Sequence, residues 1–283
     1  MEYLSAAAGD RWHAVAAAAA GTVIGLDFDG TLAPIVDDPA QARLHPQAHG
    51  VLVELAEVFA GVAIITGRPA RQVIALGELD DVADAFTERG TVLHVLGQYG
   101  NETWSSQQRR IVSPRPPRGL GAFLADLPAT LRAAGAPDAY VEEKGLAVAV
   151  HTRRLPDGPE AFGRLMTPLR QLATTHGLVL EPGRSVIEAR APGTHKGDAV
   201  VRLARELDAS GFLFAGDDLG DIEAFAAVAE LRGAGLATLL VCSSSDEQGA
   251  LLSLADIAVP GPDGVLDLLR RLSADAREAA QPS

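Results

Sequence analysis

The sequence predicts an α/β protein: a doubly wound core of parallel strands carrying an inserted α+β cap domain. Three observations predict it. Apolar runs such as Val23-Ile24-Gly25-Leu26, Val62-Ala63-Ile64-Ile65 and Phe212-Leu213-Phe214-Ala215 read as buried strands, with helical patterns such as residues 49–59 between them. Three of these runs lead straight into polar clusters, as strands do that end at a ligand site in an open α/β sheet. Between residues 114 and 190 the pattern changes to helices interleaved with short, antiparallel-looking strands.

Taken in order, residues 16–20 form an alanine run, but only Glu2, Asp10 and a single Arg11 precede it, so it reads as a helix before the first strand and not as a secretory leader. A strand at 23–26, the helix at 49–59, a strand at 62–65 and another near Leu93 follow, and Pro69 is placed to open a helix. Ser113-Pro114-Arg115-Pro116-Pro117-Arg118-Gly119 reads as a linker, because its prolines deny both helix continuation and ladder hydrogen bonds. The insertion then gives a helix at 120–134, a long strand-like stretch at 140–151, a helix at 159–176 and short strands at 178–180 and 185–187. Ala191-Pro192-Gly193 leads back, so residues 1–113 and 191–283 form the core domain and 114–190 the cap. Strands near Phe212, Leu239 and Ile257 complete the core, and the polar tail at 273–283 is expected to fray.

The 283 residues exceed an average single domain, which fits a core plus one smaller domain. A net charge of −13 argues against a nucleic-acid or anionic-membrane partner, since both require a positive face. No stretch is long and apolar enough to span a bilayer, so a soluble protein is expected; its single cysteine suits a reducing cytoplasm, and a monomer is favoured. The one cysteine, Cys242, allows no internal disulfide and sits in an apolar run as a buried thiol.

The chemistry begins at Asp27-Phe28-Asp29-Gly30-Thr31. Two carboxylates one residue apart, lifted off a strand end by a tight turn, suit a nucleophile at Asp27 and a general acid at Asp29, although alone the segment is equally an ordinary polar turn. Three more polar sites follow in chain order: Thr66-Gly67-Arg68, His195-Lys196-Gly197 and Gly216-Asp217-Asp218-Leu219-Gly220-Asp221. Phosphoryl transfer needs donors and cations around the equatorial oxygens, which Thr66 and Lys196 supply. A carboxylate nucleophile also repels a phosphate dianion unless a hard cation lies between them. Magnesium suits, held by Asp27, Asp217 and the backbone carbonyl of Asp29, with Asp218 and Asp221 holding water ligands or orienting Lys196.

This set of motifs resembles the haloacid dehalogenase superfamily. The resemblance implies that superfamily's core fold, an aspartyl phosphate at Asp27, proton transfer by Asp29, and Mg2+ dependence with Asp27, Asp29, Asp217 and Asp218 at the metal. Further motifs narrow it to the trehalose-6-phosphate phosphatases: Glu142, Lys144 and Gly145 followed by His151 and Arg153; Gly97, Gly100 and Glu102; Val186 and Glu188. What that family implies is hydrolysis of trehalose 6-phosphate, a small-molecule sugar phosphate. Lys144, Arg184 and Glu188 would meet the sugar from the cap, and Gly30, Thr31, Gly67, Arg68 and Glu102 would line the core side. Phosphatases of sucrose 6-phosphate or a glycosyl-3-phosphoglycerate, a phosphotransferase, and a non-catalytic sugar-phosphate sensor are the competing readings.

Overall fold

Side-chain alternation along strands buried on both faces decides the architecture. The computed structural model describes residues 1–36, 38–183, 185–193, 195–244 and 251–281. A two-residue strand β1 (Glu2–Tyr3) and helix α1 (Ala8–Ala17) precede β2 (Thr22–Leu26), followed by α2 (Ala48–Ala56), β3 (Gly61–Ile65), α3 (Ala70–Gly77), α4 (Asp80–Glu88), β4 (Leu93–Gly97) and β5 (Glu102–Ser105). Then come α5 (Leu120–Ala133), β6 (Tyr140–Glu143), β7 (Ala147–His151), α6 (Gly158–Thr175), β8 (Val179–Gly183) and β9 (Val186–Arg190). The chain ends with α7 (Lys196–Glu206), β10 (Gly211–Gly216), α8 (Ile222–Gly233), β11 (Ala237–Ser244), β12 (Ile257–Pro260) and α9 (Gly261–Ala279). It divides into a core unit, Met1–Val112 with His195–Ser283, and an inserted unit, Ser113–Thr194.

Among the described residues the core unit holds one eight-stranded sheet, ordered β1-β12-β11-β10-β2-β3-β4-β5. The strands from β12 to β4 run parallel, and the edge strands β1 and β5 run antiparallel to their neighbours. Ile24, Val62, Leu213 and Leu239 face one side and pack with Trp12 of α1, Leu52 of α2 and Leu269 of α9. Val23, Ala63, Phe212, Phe214 and Leu240 face the other, against Val200 and Leu203 of α7 and Phe225 of α8. Helices on both faces of a parallel sheet make the core doubly wound.

The inserted unit is an antiparallel sheet, β6-β7-β9-β8, with α5 and α6 on one face. Val148, Val150, Ile187 and Ala189 meet Phe123, Leu127, Leu165 and Leu169 there. By strand alternation, Ala147, Ala149, Glu188 and Arg190 point to the opposite face.

Three local expectations change. The long strand at 140–151 is a hairpin, β6 and β7, because Gly145 adopts a positive φ of 83° and turns the chain. Strand β5 was not expected; its four residues, Glu102-Thr103-Trp104-Ser105, carry too little apolar character to read as a strand, yet it pairs with β4. The tail does not fray over 273–279. There α9 continues, burying Ser273 and Ala276, while the Trp12 Nε1 donates to Asp275 Oδ2 at 2.7 Å and Arg277 meets Glu57 at 3.0 Å. No helix among the described residues is long and apolar enough to cross a membrane.

The Phe225 ring stands edge-on to Phe214, with centroids 5.9 Å apart and planes at 83°. Phe225→Ala is expected to destabilise the protein by about 3–5 kcal/mol, read as a lowered urea midpoint at unchanged m-value. A midpoint equal to wild type would contradict the packing of α8 on the sheet.

Candidate active site

Strands β10, β2 and β3 are adjacent and parallel, so their carboxyl ends bring Asp217, Asp27 and Thr66 to one edge of the sheet. The Asp27 amide extends the β2–β10 ladder by donating to Ala215 O at 2.9 Å, and the Thr66 amide does the same towards Leu96 O at 3.0 Å. The turn after Asp29 needs glycine twice over. Gly30 has φ 71°, and a Cβ there would collide with the Asp217 carboxylate. Ser243, at the end of β11, donates to Gly30 O at 2.6 Å and fixes the turn from the other side.

Lys196 is the first residue of α7, whose N-terminus is capped by His195, with Nδ1 accepting from the Asp198 amide at 3.3 Å. Its Nζ lies 2.7 Å from Asp27 Oδ1 and donates to Asp221 Oδ1 at 2.6 Å, all three groups being buried. Burial alone would push the Lys196 ammonium down, but the Asp221 and Asp27 carboxylates hold it well above its usual range. The other Asp221 oxygen accepts from the Asp217 amide at 3.0 Å, which the 3-10 turn Leu219–Asp221 makes possible.

Oxygens of Asp27, Asp217 and Asp221 lie within 4.8 Å of one another. Burial, then the neighbouring Asp221 carboxylate, pushes Asp27 well above the usual carboxylate range. Burial, then Asp27, pushes Asp217 up to about 9. In their ionised forms these buried carboxylates, crowded around one ammonium, carry an excess of negative charge that a hard divalent cation neutralises, so the donor set fits such an ion. Asp221 completes this cluster, and Asp218 beside it accepts from the Gly220 amide through Oδ1 at 2.8 Å.

Arg68 binds Asp29 through two parallel contacts, Nε to Oδ2 at 2.6 Å and Nη2 to Oδ1 at 2.7 Å, and its guanidinium lies 5.8 Å from the Phe28 ring centroid. Glu102 accepts from the Ala70 amide at 2.7 Å, at the start of α3. Both residues are thus engaged by the core unit's own machinery. Thr66 Oγ1 accepts from the Arg68 amide at 3.2 Å. Thr31 is fully buried and its hydroxyl makes no hydrogen bond among the described residues.

In the inserted unit, Lys144 Nζ donates to Glu188 Oε2 at 2.6 Å. Glu188 is buried, and its Oε1 makes no hydrogen bond among the described residues. His151 meets Glu142 at 2.9 Å and Arg190 meets Glu181 at 3.0 Å. Arg184 lies outside the described residues. Ser243 was missed by sequence reasoning, although it ends an apolar run in the same way as Asp27 and Thr66.

The doubly wound sheet with its inserted α+β unit is the fold of haloacid dehalogenase-like hydrolases. Within that class the chain belongs to the trehalose-phosphatase family of phosphoric monoester hydrolases, whose model matches residues 25–83 and 132–258. It is 30% identical over 212 residues to the trehalose-6-phosphate phosphatase of Escherichia coli, covering 73% of each chain. It is 32% identical over 267 residues to an uncharacterized glycosyl hydrolase of Mycobacterium tuberculosis, covering 90% of this chain but only 18% of that protein's length. The solved C-terminal domain of C. albicans trehalose-6-phosphate phosphatase is similar in fold, with a TM-score of 0.76 at 20% identity over 96% of this chain and 98% of that one.

Two outcomes follow from the charges. Lys196→Met leaves Asp27 and Asp221 buried against each other and is expected to cost about 3–5 kcal/mol in chemical denaturation; wild-type stability would mean the ammonium is not the counter-charge. In chelator-treated protein the unfolded Asp217 ionises near pH 4, as an ordinary Asp does, while the folded one keeps its proton up to about 9. The folded state therefore binds more protons across that window, so stability falls as pH rises through it. Thermal melts should show this fall, reduced in Asp217→Asn; a melt that rises with pH would contradict the crowding.

Proposed function

We propose that this chain hydrolyses trehalose 6-phosphate to trehalose and phosphate through an aspartyl phosphate at Asp27. The observation that carries the reading is the Lys196 ammonium locked between Asp27 and Asp221, at the strand end where Asp29 and Thr66 also converge. In the first half-reaction Asp27 attacks phosphorus, forming its O–P bond as the sugar–oxygen bond to phosphorus breaks. Lys196 and the Thr66 hydroxyl donate to the equatorial oxygens, and the two turns, at Gly30-Thr31 and at Gly67, bring backbone and hydroxyl donors to the same group. Asp29 enters as the protonated acid holding one of its two Arg68 contacts, gives its proton to the departing alkoxide, and as the carboxylate takes up the second contact again. In the second half-reaction Asp29 takes a proton from the water that attacks phosphorus, and phosphate departs with Asp27 regenerated. Magnesium, held by Asp27, Asp217 and the Asp29 backbone carbonyl, with Asp218 and Asp221 beside them, would neutralise the carboxylates against the incoming dianion.

The sugar is assigned to the inserted unit. Lys144 and Glu188, with Arg184, are proposed to meet its hydroxyls, since the buried Glu188 Oε1, which accepts no hydrogen bond among the described residues, is an acceptor suited to a hydroxyl donor. Arg68 and Glu102 serve from the core side. The protein is proposed to act as a cytoplasmic monomer.

Phosphate release from trehalose 6-phosphate, glucose 6-phosphate, sucrose 6-phosphate and a glycosyl-3-phosphoglycerate, with and without magnesium, tests this. Preference for trehalose 6-phosphate is expected, abolished in Asp27→Asn and lowered about 10²–10⁴-fold in Asp29→Asn. Glu188→Gln should raise KM for trehalose 6-phosphate while leaving p-nitrophenyl phosphate turnover unchanged. Release from another sugar phosphate alone would overturn the substrate, and release from none would favour a sensor.

A further inference from the structure

We propose that residues 97–102 form a bracket that sets the general acid and the catalytic lysine in register, with Tyr99 and Arg202 as positioning residues; this rests on the phosphatase reading above. The segment joins β4 to β5. Gln98 and Tyr99 both lie in the left-handed region, with φ of 50° and 60°. Non-glycine residues are uncommon there, and two in succession persist only where the surroundings over-determine the backbone.

The surroundings are the catalytic elements. The Gln98 amide donates to Arg68 O and the Tyr99 amide to Thr66 O, each at 2.9 Å, so the left-handed pair turns two consecutive N–H groups onto the Thr66-Gly67-Arg68 turn. The Tyr99 ring lies over that turn, close enough that a Cβ on Gly67 would stand 3.0 Å from it. Glu102 secures the far end of the same turn through the Ala70 amide at 2.7 Å. On the other side, Arg202 of α7 donates to Gly100 O at 2.8 Å. Asn101 Nδ2 closes the segment on itself by donating to Gln98 O at 3.0 Å.

Arg202 stands on the helix that Lys196 opens. A single segment therefore grips the turn whose Arg68 holds Asp29, and the helix whose first residue holds Asp27. Those two attachments come from β3 and α7, which are far apart in sequence, and the bracket ties them together at backbone level. Phosphoryl transfer by positioned groups is sensitive to displacements of about 1 Å, and such a tie limits them. A plain hairpin between β4 and β5 would need none of these contacts and no left-handed pair.

The test compares Tyr99→Leu and Arg202→Ala with the conservative Tyr99→Phe and Arg202→Lys. It reads kcat and KM for phosphate release, the thermal midpoint, and amide hydrogen exchange of peptides covering residues 66–70 and 196–202. The first pair is expected to lose about tenfold or more in kcat with KM held within about twofold. Exchange should accelerate in both peptides while peptides from β2 and β10 stay protected, and Tyr99→Phe should restore both readouts. Wild-type kcat with unchanged exchange in Tyr99→Leu and Arg202→Ala would overturn the proposal. A uniform rise in exchange with a lowered midpoint would also overturn it, since that marks a merely structural role. If the wild-type protein releases phosphate from no monoester, the function fails separately and the exchange pattern alone decides the bracket.

Discussion

One buried ammonium makes the site possible. Each carboxylate taken out of water costs several kcal/mol unless it is paired, and Asp27, Asp217 and Asp221 are buried together. Lys196, 2.7 Å from Asp27 and 2.6 Å from Asp221, is the counter-charge within the chain, and the remaining excess is what a divalent cation would meet. The fold is arranged around delivering that contact. Asp27 comes from the end of β2, Asp221 from the 3-10 turn after β10, and Lys196 from the first position of α7, so β10 must neighbour β2 and α7 must pack beside them. The sheet order and the contact between α7 and α8 meet both conditions.

The rest of the molecule supplies the rigidity. Left-handed non-glycine backbone costs about 1–3 kcal/mol per residue and survives only when packing over-determines it. Two apolar clusters, one on each face of the sheet, provide that packing. Strands buried on both sides cannot slide without exposing apolar residues, so the strand ends stay in register and the turns built on them keep their geometry. A preorganised site of this kind lets donors act on developing charge without reorganising at the moment of reaction.

The strand ends were legible in the sequence because the signal is abrupt: four apolar residues followed by Asp27, by Thr66 or, after Gly216, by Asp217. The cap hairpin was less so, since Glu142-Glu143-Lys144-Gly145 reads both as strand and as turn and only the positive φ of Gly145 settles it. The course of α9 was hidden because its buried face beyond Leu272 is made of Ser273 and Ala276, whose apolar area is small while Trp12 and Glu57 supply the partners. Which aspartate meets Lys196 was not legible either. Asp218 and Asp221 are chemically identical, and the 3-10 turn alone aims one at Lys196 and the other at Gly220. Nor does a sequence show that Arg68 grips Asp29 with both arms.

The two units divide the problem by charge. An anionic phosphoryl group must be met by cations, and in the core unit Lys196 and Arg68 stand beside carboxylates suited to a metal. The inserted sheet has a different character. Glu142, Ala149, Glu188 and Glu181 form one row across its four strands, and His151, Lys144 and Arg190 each pair with one of the three carboxylates. Such a row repels a dianion, yet its carboxylate oxygens accept from hydroxyls while the paired cations reduce the cost of covering them. A neutral polyol therefore suits this face better than an anion does, because hydroxyls donate to carboxylate oxygens that would repel a second negative charge.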